Sequence, residues 1–125
     1  MPAETIDRAA ALARCGGDLD LLREVAQLFL DNASLLMFEI RKAVDGRDAP
    51  TLARAAHTLK GSVANFGADA ASKAALRLEK LARGAGPGGE MPGLEEALAT
   101  LEAEMERARP ELSALASQLP AADSI

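Results

Sequence analysis

Apolar residues recur along this chain at intervals of three and four, the spacing of one face of an α-helix. The longest such row is Leu22, Val25, Phe29, Ala33, Leu36, Ile40 and Ala43. Asp18 stands ahead of it as a side-chain cap and Asp45-Gly46 behind it, so a helix is expected to run to about Val44. A shorter amphipathic piece, Ile6 to Cys15, precedes it and stops at Gly16-Gly17. A third helix should open at Asp48, with Pro50 just inside, where the missing N–H would have been orphaned anyway. Its apolar row is Leu52, Ala55, Leu59, Val63 and Phe66, and it should end near Asn65-Phe66 with Gly67 in the stopping position. Ala68 to Arg83 reads as a fourth helix built on Ala74, Leu78 and Leu81. After a flexible Gly84 to Gly89 loop, Pro92 opens a final helix carrying Leu94, Leu98, Leu101, Met105, Ala108, Leu112, Leu115 and Leu119. Pro110 is expected to kink or split it, and residues 120–125 to form a frayed tail.

Four substantial helices, one short leading helix and short connections predict an all-α fold. The expected form is an antiparallel up-down four-helix bundle with a short additional N-terminal helix. It would be one domain over residues 1–125, with its core in about 6–108. Composition supports helices: Trp and Tyr are absent and Phe occurs three times, so Leu, Ala, Val, Ile and Met must build the core. The single cysteine, Cys15, can form no internal disulfide and reads as a small apolar filler, in keeping with a reducing cytoplasm. No stretch approaches the ~20 apolar residues of a membrane span. Met1-Pro2-Ala3-Glu4 does not begin like a secretory signal. A net charge of -5 without a basic run argues against nucleic acid and against an anionic membrane surface. The Gly84–Gly89 run is no phosphate-cradling loop either. It follows a helix, contains Pro87 and lacks a following Gly-Lys-Ser/Thr.

The chemistry gathers around the one histidine. On a helical wheel His57 lies nearly opposite the apolar row of the third helix, so it is expected outside the core. Its helical neighbours are Arg54, Lys60, Gly61 and Ala64. Gly61, one turn on, costs about 1 kcal/mol against Ala inside a helix and clears the space beside the imidazole. Lys60, three residues on, brings an ammonium to the same face. An exposed nucleophilic nitrogen, a cleared approach and a neighbouring cation together describe a phosphoryl carrier. A hydrolase would need a second general base or an oxyanion hole, and neither is visible. A di-iron bundle would need Glu-x-x-His pairs, but Arg54 stands three before His57 and there is no second His. Lys73, Arg77 and Lys80 recur at helical spacing and read as a solvated face. Phe38 lies opposite Phe29, Leu36 and Ile40, either as part of a receiver-docking patch or packed under the leading helix or a neighbour.

The stretch His57-Thr58-Leu59-Lys60-Gly61-Ser62-Val63-Ala64-Asn65-Phe66-Gly67-Ala68 closely resembles the signature of histidine-containing phosphotransfer (HPt) domains. Arg54-Ala55-Ala56 before it, and the lead-in from Gly16-Gly17-Asp18 to Phe29, are similar too. The resemblance implies a four-helix bundle that relays phosphoryl groups in two-component signalling. His57 would be the phosphoacceptor, Lys60 the cation near the phosphoryl oxygens, Gly61 the cleared position and Gly67 the helix end. Partners would be response-regulator receiver domains and a histidine kinase or hybrid kinase. Arg54, Ala64 and Phe38 are docking candidates. The domain would hold no cofactor and no ATP site, the receiver would bring Mg²⁺, and the carrier would be a cytoplasmic monomer. The competing expectation is a helical adaptor that binds a receiver or kinase without being phosphorylated, which has no need of His57, Lys60 and Gly61 together.

Overall fold

A computed structural model describes residues 6–117. Five helices follow one another: α1 (Arg8–Arg14), α2 (Leu19–Asp45), α3 (Ala49–Ala64), α4 (Asp69–Arg83) and α5 (Leu94–Ser117). The last four form the antiparallel bundle. α3 packs on α2 and α4, and α5 closes the square against the same two, so each helix meets its two neighbours. No strand occurs among the described residues.

The boundaries follow from local chemistry. Asp7, Asp18 and Asp48 each accept a backbone N–H three residues on, from Ala10, Leu21 and Thr51, and so cap α1, α2 and α3. The expected apolar rows face inward. On α3 Leu52, Ala55, Leu59 and Val63 are all buried, and Phe66 just beyond packs its ring 5.2 Å from that of Phe29 on α2. Pro110 does not split the last helix, which runs unbroken from Leu94 to Ser117. It lies on the exposed side, where water can reach the carbonyl it leaves without an amide. The frayed tail and Leu119 lie outside the described residues.

Gly67 ends α3 with a φ of 67°, as its position suggested. It has a second task. A Cβ there would stand 2.4 Å from the Cβ of Asp7, whose N–H donates to the Phe66 carbonyl at 2.7 Å. Arg14 on α1 donates to the carbonyls of Ala64 and Asn65. The leading helix therefore covers the open carbonyl end of α3, the helix that carries His57.

Candidate functional site

The buried row of α3 turns His57 outward, with 59% of its side chain exposed. The ring is nevertheless held. Its Nδ1 lies 3.0 Å from Oε2 of Glu79 on α4. Glu79 is buried, and its carboxylate gathers further donors: Lys60 Nζ at 2.9 Å on Oε1, and the Arg83 guanidinium at 2.8 and 2.9 Å on Oε2. The hydrogen bond from Lys60 is the main reason that its pKa falls from 4.5 to about 2. Burial opposes the fall, and the bonds from Arg83 and His57 add to it. Glu79 is thus an ionised, acceptor-only group at neutral pH. The imidazole nitrogen facing it must carry the proton, which leaves the ring's lone pair on Nε2, away from the carboxylate.

Lys60 does stand beside His57, as the spacing predicted. Its ammonium, however, is tethered to Glu79 and only about a quarter exposed. Gly61 is open: a Cβ built there meets nothing within 4 Å. No helix packs on it, so no packing requirement explains the missing side chain. Arg54 and Ala64 are exposed on α3, and the carbonyl of Ala64 is taken by Arg14. The hydroxyls nearest the ring are occupied, Thr58 Oγ1 donating to the Arg54 carbonyl at 3.0 Å and Ser62 Oγ to that of Thr58 at 3.1 Å.

Phe38 is 63% exposed, so it does not pack under a neighbouring helix. With Leu35 and Leu36 it lines a groove of about 1080 Å³ between α2 and α3 that reaches Thr58 and Ser62, beside His57. All the large apolar side chains exposed among the described residues, Leu19, Leu21, Leu28, Leu35 and Phe38, belong to α2. That apolar surface is concentrated on one helix, and its Leu35–Phe38 part lies next to α3.

Glu79 was not foreseen. In the sequence it lies between Leu78 and Lys80 and passes for one more surface charge. The signal was its register. Ala75, Glu79 and Ala82 are spaced four and three apart, so a carboxylate sits in an apolar row, where it needs partners. Arg83, four residues on, is the partner on its own helix.

The family model for the Hpt domain matches residues 24–119. Among solved structures, histidine-containing phosphotransfer protein B (HptB) from Pseudomonas aeruginosa superposes with a TM-score of 0.82 at 20% identity, over 95% of this chain and 100% of that one. At that identity the likeness is one of fold. No curated protein matches the chain.

Proposed function

We propose, for a chain that belongs to the Hpt domain family, that His57 is the phosphoacceptor and that Nε2 is the atom carrying the phosphoryl group. Phosphorelay in two-component signalling is the function of this chain, a phosphoryl carrier working with receiver domains and kinases. The observation that carries the residue assignment is the 3.0 Å contact between His57 Nδ1 and Glu79. It orients the ring and keeps the proton on the inner nitrogen.

When a receiver aspartyl phosphate approaches, the Nε2 lone pair attacks phosphorus. The N–P bond forms, the P–O bond breaks, and the aspartate leaves as a carboxylate with the bonding pair. The ring gains positive charge with its Nδ1–H still aimed at Glu79, and the carboxylate offsets that charge. Lys60 spends one of its donors on Glu79, and the others can reach phosphoryl oxygens. The bare helix at Gly61 admits the partner's active site, and the groove at Phe38 and Leu35 seats its surface, with Arg54 and Ala64 alongside. Mg²⁺ would come with the receiver. Return transfer to a second receiver is the same step reversed.

The test is transfer from a phosphorylated receiver to the parent and to His57→Gln. The parent should take a label that is acid-labile and base-stable, with a ³¹P–¹⁵N coupling at Nε2. The variant should take none while melting as the parent does. A labelled variant, or a label on Nδ1, would overturn the assignment. A parent that binds receivers yet is never labelled would establish the adaptor.

A further inference from the structure

The cations of this acidic chain are unevenly placed. Lys73, Arg77 and Lys80 follow one another along α4 and, with Leu76, Leu81 and Pro92, line a shallow groove of about 490 Å³ where α4 meets the start of α5. None of these residues belongs to the His57 site. Arg77 pairs with Glu96 at 3.1 Å, but the Glu96 side chain is 79% exposed, so the pair is weak. Its guanidinium lies close to Gly93, 3.8 Å from where a Cβ would stand, at the end of the groove where α5 begins. Lys73 and Lys80 make no ion pair among the described residues. Elsewhere on the surface Arg41, Arg47 and Arg109 are each matched with a glutamate. Two unmatched ammonium groups beside a weakly paired guanidinium, over an aliphatic floor, form a local excess of positive charge on a chain of net charge -5.

We infer that this groove docks an acidic, extended peptide segment of a partner protein, its carboxylates on Lys73, Arg77 and Lys80 and an apolar side chain between Leu76 and Leu81. The spacing sets the ligand class. Seven residues of helix separate Lys73 from Lys80 by about 10 Å, the reach of about three residues of extended chain. The charges are strung out instead of converging, so a small anion cannot engage all three. The groove has no aromatic side chain on which a base could stack. An acidic peptide with an aliphatic residue satisfies both the cations and the floor. A partner held there leaves the α2–α3 groove uncovered, so the two faces can be occupied together.

The probe is the peptide acetyl-Glu-Asp-Glu-Leu-Asp-Leu-Glu-Asp-amide, titrated into ¹⁵N-labelled full chain. Chemical shifts should move in residues 73–84 and 91–96 and stay still in the α2–α3 groove. Binding should weaken at least tenfold on raising salt from about 0.05 to 0.5 M. A similar loss is expected for the paired substitution Lys73→Ala with Lys80→Ala, and for a peptide with Gln and Asn in place of the acids. The paired variant should accept phosphoryl groups at the parent rate, so failure here leaves the assignment of His57 untouched. Lys73→Gln with Lys80→Gln, which keeps the aliphatic stems, should lose binding equally; binding kept in that variant would overturn the role of the charges. No shifts at millimolar peptide, shifts in the α2–α3 groove, or equal binding by a single-stranded oligonucleotide of the same charge would overturn the proposal.

Discussion

Replacing Glu79 by Gln keeps the shape of the side chain and removes the charge that Lys60, Arg83 and His57 share. The interval between 4.5 and about 2 is worth roughly 3 kcal/mol in favour of the ionised, folded form. Lys60, His57 and Arg83 are 28%, 59% and 60% exposed, so water takes over part of their solvation when the carboxylate is lost. The net cost should be about 1–2 kcal/mol at neutral pH. The pH dependence identifies its origin. Between pH 2 and 4.5 the unfolded chain holds a proton on Glu79 that the folded chain does not. Parental stability from this group therefore rises with pH by up to about 1.4 kcal/mol per unit in that window and is complete above about pH 5. Urea melts of parent and variant should differ by a constant amount from pH 7 to 5. The difference should shrink as the pH falls and vanish near pH 2. The same variant reports on the chemistry. A Gln can turn its amide N–H toward the ring, which puts the imidazole proton on Nε2 and removes the nucleophile. Single-turnover transfer at saturating receiver should slow by about 10- to 100-fold, the usual cost of losing a group that orients an imidazole, with receiver affinity unchanged. A stability difference that persists undiminished to the lowest pH would refute the charge argument. Transfer at the parental rate would show that Glu79 does not position the ring.

Gly61→Ala should raise stability by up to about 1 kcal/mol, because the site is open and Ala is the better helix former. Gly61→Gln should melt no lower than the parent yet transfer far more slowly, its side chain standing where the receiver approaches; unimpaired transfer would remove the functional reason for the glycine. Lys60→Ala should shift the acid limb of the stability profile toward higher pH, since the bond from Lys60 is the largest cause of Glu79's low pKa. It should also slow transfer more than it weakens receiver binding, which titration and single-turnover rates together can separate. Phe38→Ala should leave the melting temperature unchanged, the ring being 63% exposed, and weaken receiver binding by about tenfold; unchanged affinity would move the docking face off α2.

The helices and their order were legible because each is written locally. The aspartate caps at Asp18 and Asp48, the stop at Gly67 and the three-four rows of α2 and α3 depend only on residues within a few turns of one another. The same periodicity placed His57 outside, since a row that buries Leu52, Leu59 and Val63 leaves the opposite face no choice. Gly61 could be read as a cleared position because glycine inside a helix carries a cost that nothing local repays. What joins separate helices was not legible. The Glu79 carboxylate reaches His57 across 22 positions and Lys60 across 19, and no periodicity on one helix encodes which neighbour it faces. Tertiary packing brought α4 against α3, buried the carboxylate, and forced it to collect every nearby donor, because a charge taken out of water must be paired. Only then did the ring acquire one proton-bearing nitrogen and one free one. The exposure of Phe38 was settled in the same way: its wheel position allowed either contact with a neighbouring helix or solvent, and the placement of α1 across the end of α3 left it bare. At Pro110 the tertiary structure decided between two local outcomes. Local chemistry predicted a kink or a split, and the split does not occur: the position lies on the outer side of α5, where solvent can satisfy the stranded carbonyl while Ala108, Leu112 and Leu115 hold both halves of the helix to the core.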